Sequence, residues 1–146
     1  MQRFKFEGDL ATGRLLGTLL ADYLLAGTTK PDCIVPVPLH ASRLKERGFN
    51  QATELARPIA RRLKTRVCLD LCERVRATEV QSKLDAVERR KNLRGAFAVT
   101  GPVQGPHVAL LDDVVTTAEI LAEAFKDAGA AKASLWRVCR AASPFA

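Results

Sequence analysis

Asp112 and Asp113 stand side by side in "VALLDDVVTTAEI", residues 108 to 120, and the hydroxyls of Thr116 and Thr117 follow closely. The preceding run, Val108 to Leu111, is wholly apolar and reads as a buried strand. A carboxylate removed from water needs a hydrogen-bonding partner, so two of them at a core strand end call for an explanation. At the carboxyl end of a strand they can face a ligand and accept hydrogen bonds from its hydroxyl groups. Val114, Val115, Thr116, Thr117 and Ala118 then form a turn into a helix N-terminus. Its free backbone N–H groups and positive dipole end favour a phosphate, with the two threonines as added donors. Diol-binding acids beside a phosphate cradle describe a pocket for ribose 5-phosphate. Glu119 is the discordant residue, a negative charge inside a turn expected to hold an anion.

Two other readings fit the same residues. Paired acids at a strand end bind magnesium in phospho-acceptor receiver domains, but there the pair belongs to the first strand, whereas here it falls late in the chain. Asp113 and Thr116 also suit plain helix capping.

Either way the acids need elements to hold them. A first helix is expected from Asp9 to Ala26, with Leu15, Leu16, Leu19, Leu20 and Tyr23 as an apolar stripe and Gly27 as its stop. "CIVPVPL", residues 33 to 39, reads as a short buried strand, followed by the polar, basic loop "HASRLKERGFN". A second helix is expected from Asn50 to Leu63, kinked or weakened at Pro58. "VCLDL", residues 67 to 71, "AFAV", residues 96 to 99, and "ASLWRVC", residues 133 to 139, are further strands. Glu73 to Gly95 is polar and basic, a mobile loop carrying a short helix. Thr116 to Ala128 is the last helix, ended by Gly129. Strands alternating with helices predict an α/β fold with a mainly parallel, doubly wound sheet. The 146 residues form a single domain on this reading.

The composition, 47% apolar and 27% charged, is that of a soluble globular chain. No apolar run approaches the roughly 20 residues needed to cross a bilayer. The N-terminal residues carry no secretory signal, so a cytoplasmic location without membrane insertion is expected. Cys33, Cys68, Cys72 and Cys139 are scattered and read as buried or idle thiols; no zinc is expected. The net charge of +7 is regional: between Arg43 and Arg94, 15 basic residues stand against 7 acidic ones. Elsewhere 8 basic residues meet 9 acidic ones. Such a local excess suits either an anionic partner or a well-solvated surface.

The opening stretch resembles the phosphoribosyl-pyrophosphate motif of type I phosphoribosyltransferases. Two further blocks narrow the resemblance: "VPVPLHASRLKERGFNQATELARPIARRL", residues 35 to 63, and the spaced series Arg76, Thr78, Gln81, Leu84, Arg89, Asn92, Gly95, Ala96, Phe97. With these the chain resembles the ComF family, competence-associated proteins with a type I phosphoribosyltransferase-like domain. The resemblance spans residues 35 to 120, and "FEGDLATGRLLGTLLADYL" is similar to that family's first helix. Many ComF-like proteins carry an N-terminal zinc ribbon; this sequence begins after where it would stand, so the resemblance implies no zinc here. In the family's phosphate turn a Gly, a small residue and a Thr would follow Thr117; here Ala118, Glu119 and Ile120 stand there, and Ile120 lacks the expected hydroxyl.

The resemblance implies a phosphoribosyltransferase that binds phosphoribosyl pyrophosphate with Mg2+, held by the donor rather than directly by protein side chains. Asp112 and Asp113 would serve the ribose hydroxyls in catalysis. Residues 114 to 119 would hold the 5-phosphate. Pro38, Leu39, His40 and Arg43 would contact the pyrophosphate. The loop carrying Arg76, Thr78, Gln81, Arg89, Arg90 and Asn92 would fold over the site, its arginines reaching phosphate oxygens. The acceptor is not legible. A rival expectation is a non-catalytic protein of DNA uptake that binds single-stranded DNA, or a protein of the competence machinery, through its basic region. Phe49 and Phe97 are the aromatics in and beside that region, few for a stacking platform.

Overall fold

The computed structural model describes residues 10–78, 85–103, 105–112 and 115–137. In chain order these form α1 (Leu10–Gly27), β1 (Cys33–Pro36), α2 (Ala41–Arg47), α3 (Gln51–Leu63), β2 (Arg66–Val67) and β3 (Cys72–Arg74). There follow α4 (Ala86–Leu93), β4 (Phe97–Val99), β5 (His107–Leu111), α5 (Val115–Asp127) and β6 (Lys132–Trp136). Four strands make an all-parallel sheet in the order β2-β1-β5-β6, while β3 and β4 pair antiparallel as a separate two-stranded sheet.

The alternation of strand side chains divides the core in two. Cys33 and Val35 of β1 and Val108 and Leu110 of β5 join Leu121 and Phe125 of α5 on one face. Ile34, Ala109 and Leu111 point the other way, onto Leu55 and Ile59 of α3 and Ala21 and Leu24 of α1. Every residue of β1 and β5 is buried, as parallel strands covered on both faces must be. Helices on both faces give the doubly wound α/β arrangement that the alternation of elements predicts, consistent with a phosphoribosyltransferase-like fold.

Three expectations need correction. The segment after β1 is not wholly loop: Ala41–Arg47 is a helix with no buried residue, so it lacks the apolar stripe that would announce it. The strand expected at residues 67 to 71 ends at Val67, and the chain resumes as β3 at Cys72, drawn there by pairing with β4. β1 likewise stops at Pro36. Its partner β2 reaches only to the level of Ile34, so the prolines at the exit remove no ladder bond on that side. Helix α3 contains Pro58 and continues beyond it to Leu63. A Cβ on Gly17 of α1 would lie 2.5 Å from Pro58 Cγ and 2.9 Å from the Leu55 carbonyl oxygen, so the two helices touch where glycine meets proline.

At the amino end of the sheet, His107 is buried and its Nε2 lies 2.8 Å from Ser134 Oγ. Its backbone N–H donates to Asp32 Oδ2 at 2.9 Å. Burial lowers its pKa below the ordinary 6.5 and Lys132 adds to the effect, while a Lys30 backbone bond and Asp32 oppose it. A depressed histidine favours the fold when neutral, because below 6.5 the unfolded chain takes up a proton that the folded chain resists. Stability is therefore expected to fall as pH drops through 6.5 towards the folded-state value, and less steeply in His107→Gln. Thermal denaturation at pH 7.5 and about pH 5.5 measures this; parallel losses in both proteins would show that His107 is not the group responsible.

Candidate functional site

The carboxyl ends of β1 and β5 lie side by side, with Pro36 opposite Leu111. Beyond them Val37 N–H donates to the Leu111 carbonyl at 2.9 Å, carrying the pairing one step further. Asp112 follows directly, its N–H bonded to the Trp136 carbonyl of β6 at 3.1 Å and its side chain only 8% exposed. The backbone of this acid is thus fixed by the sheet itself. Asp113 and Val114 lie outside the described residues.

Three residues on, α5 opens at Val115, so the first four N–H groups of the helix, Val115 to Ala118, have no partner within it. The side chains of Val115 and Thr116 lie outside what the structure describes. Thr117 is buried, and Ala118 belongs to the core cluster under the sheet, where a small side chain is needed. Ile120 packs against the same cluster. Its apolar side chain therefore serves the core, which accounts for a residue that looked out of place in a phosphate turn.

Glu119 also finds its explanation. Its Oε2 accepts from Arg90 Nη2 of α4 at 3.0 Å, with the Arg90 and Glu119 side chains 57% and 40% exposed. The charge that seemed aimed at an anion is partnered by a cation from the polar segment. At this exposure the pair adds little stability, well under 1 kcal/mol. Its effect is positional, tying α4 to the first turns of α5.

Past β1, the segment Pro38 to His40 is half-buried. Asn50 anchors it, donating from Nδ2 to the Val37 carbonyl at 3.0 Å while its Oδ1 caps α3 by accepting from Ala52 N–H. His40 caps α2, its Nδ1 accepting from Ser42 N–H at 3.3 Å. The Arg43 guanidinium, on the first turn of α2, lies 3.5 Å from the exposed Glu46 carboxylate.

In the segment expected to fold over the site, Gln81 lies outside the described residues and so does the side chain of Arg89. Arg76 donates from Nη2 to the carbonyls of Asn92 and Arg94, the latter at 3.0 Å. It therefore braces the end of α4 rather than projecting free. Asp85 and Glu88 form a reciprocal cap at the start of α4. Thr78 accepts from Arg74 Nη2.

Arg74 itself carried no signal in the sequence. It stands on β3 opposite Phe97 of β4, with its guanidinium carbon 5.4 Å from the ring centroid. Burial lowers its pKa; the Asp112 carboxylate pulls the other way, and the Arg43 guanidinium adds to the lowering. Burial pushes the thiols of Cys33 and Cys72 up to about 12, so both stay protonated near neutrality and neither is a nucleophile. Among the described residues no helix is long and apolar enough to cross a membrane.

Over 145 residues the chain is 42% identical to DNA utilization protein YhgH of Salmonella typhi, covering 94% of this chain and 63% of that protein. It is 36% identical over 154 residues to competence protein F of Haemophilus influenzae, covering 97% of this chain and 66% of the relative. Competence protein ComFC of Bacillus subtilis is 31% identical over 129 residues, 83% of this chain and 48% of that protein. The chain thus spans less than two thirds of the length of these relatives. No family model and no solved structure matches it.

Proposed function

The chain belongs to the ComF family of competence and DNA-utilization proteins, and from that premise we propose that it binds a phosphorylated ribose, phosphoribosyl pyrophosphate or a close relative, at the carboxyl ends of β1 and β5. The observation that supports this most is the placement of Asp112: a nearly buried acid fixed at a strand end, three residues before the open N-terminus of α5. A carboxylate there accepts from ribose hydroxyls, and the helix start offers N–H donors to the 5-phosphate. Asp113 is assigned to the same diol.

If transfer occurs, positive charge develops on the ribose ring as pyrophosphate leaves, and the fixed charge of Asp112 stabilises it without reorganising. The segment Pro38 to His40 and Arg43 take the departing pyrophosphate. Magnesium would be held by the donor rather than by protein side chains and would supply charge neutralisation to its pyrophosphate. Closure by the segment between β3 and β4, tied to α5 through Arg90 and Glu119, excludes water that would hydrolyse the donor.

A second reading has its own support. Helix α2, which follows the carboxyl end of β1, buries none of its residues and carries Arg43, Lys45 and Arg47, and the relatives' names concern DNA utilization and competence. On that reading the basic surface tracks a nucleic-acid backbone and the pocket is a sensor.

Calorimetric titration separates them. Binding of phosphoribosyl pyrophosphate with magnesium tighter than about 1 mM, a free energy of about −4 kcal/mol, is expected. A poly-dT oligonucleotide should show affinity that falls steeply with salt if the backbone reading holds. Absence of heat with the sugar phosphate at millimolar concentration, beside tight oligonucleotide binding, would overturn the first reading in favour of the second.

A further inference from the structure

Helix α1 turns small residues inward and large ones outward. Its buried positions are Gly13, Gly17, Ala21 and Leu24, and the glycine at 17 lets it approach Leu55 and Pro58 of α3 closely. Leu16 and Leu20 reach the core only at its margin. Leu15, Leu19 and Tyr23 stay 61%, 57% and 75% exposed. They stand four residues apart and so form one ridge along the helix. A helix that served only the core would carry its large side chains inward. We propose that this ridge is an interface between two copies of the chain, packed antiparallel about a two-fold axis at Leu19.

Layout, area and charge all fit a second copy. Leu15 and Tyr23 lie four residues to either side of Leu19. An antiparallel pairing centred there sets Leu15 of one copy on Tyr23 of the other, so the same three residues meet themselves, as a two-fold interface requires. At their exposed fractions these side chains leave roughly 400 Å2 of mainly apolar surface bare, the size of the largest patch on a typical monomer, which is often functional. Two copies remove twice that from water, and the flanking Leu16, Leu20 and Ala26 bring the total to about 1,000 Å2, the least that a specific interface requires. A net charge of +7 opposes self-association, so the contact must keep like charges apart. None of these six residues is charged. Asp22, which borders the ridge, is already neutralised by Arg62 of α3 at 3.0 Å. Tyr23 supplies an aromatic anchor of the kind that concentrates binding energy at interfaces.

The crevice at the carboxyl ends of β1 and β5 takes no part in this contact, so ligand binding and self-association succeed or fail separately. Sedimentation equilibrium of the full chain is expected to show a monomer passing to a dimer with a dissociation constant of about 10–100 µM, in keeping with the small area. Leu19→Glu sets two like charges against each other on the axis and is expected to weaken association at least tenfold. Because the side chain is exposed, a thermal melt of the dilute variant should match that of wild type. Leu19→Cys, oxidised with glutathione disulfide, is expected to give a covalent dimer, since a residue on the axis meets itself. Wild type and Leu135→Cys, which is exposed on β6, are expected to give none under the same treatment. Should Leu19→Glu not fold, the cysteine pair decides. A wild type that stays monomeric overturns the proposal and leaves the ridge to a different protein. Growth beyond a dimer, or a Leu19→Glu variant that associates like wild type, overturns it as well by placing the contact elsewhere.

Discussion

Asp112→Asn is expected to lower affinity for ribose 5-phosphate by about tenfold to a hundredfold, corresponding to about 1.5–3 kcal/mol for hydrogen bonds to a charged group. The substitution is nearly isosteric, and the backbone of residue 112 is held by its bond to the Trp136 carbonyl, so the site is not displaced. What changes is chemistry. An amide presents one acceptor oxygen and an NH2 donor where the carboxylate presented two acceptors for ribose hydroxyls. The loss is magnified because the side chain is only 8% exposed, and water cannot substitute freely. Calorimetry with ribose 5-phosphate reads the effect. An affinity within twofold of wild type would mean that the acid at the end of β5 does not face the sugar.

Phe125→Ala is expected to destabilise the fold by about 3–5 kcal/mol, the cost of removing a fully buried aromatic ring and leaving a cavity. Phe125 is wholly buried on α5, in the cluster formed with Val35 of β1 and Val108 and Leu110 of β5. For a domain of this size the melting temperature should fall by roughly 10–15 °C. Such a loss is a large share of the roughly 5–15 kcal/mol that holds a domain together. It bears on function, since the ring anchors the helix whose first turn is assigned to phosphate. A thermal melt within about 3 °C of wild type would mean that α5 is not packed through this residue.

How much of this was legible depended on how far apart the partners lie in the chain. Helices α1, α3 and α5 and strands β1, β4, β5 and β6 carry their own periodicity, and each was readable to within a few residues. The acids at the end of β5 were readable because an apolar run ending on like charges is locally improbable. Helix α2 was not, since a helix that buries nothing has no apolar stripe. β3 was misplaced because its position comes from pairing with β4, about 25 residues on. Arg74 sits among arginines of similar appearance, and its contact with Phe97 distinguishes it. Glu119 looked repulsive because its partner, Arg90, is 29 positions away.

The Arg90–Glu119 pair has a consequence for any experiment in which ionic strength is varied. Both side chains are exposed, so their attraction weakens as the Debye length shortens from about 30 Å at 0.01 M salt to about 8 Å at 0.15 M. Added salt therefore loosens α4 from α5 at the same time as it screens a bound polyanion. A salt slope measured on wild type sums the two, even for a ligand that touches no surface arginine. Glu119→Gln removes the internal contribution, so comparing its slope with that of wild type reads how far the tie between α4 and α5 enters the salt dependence.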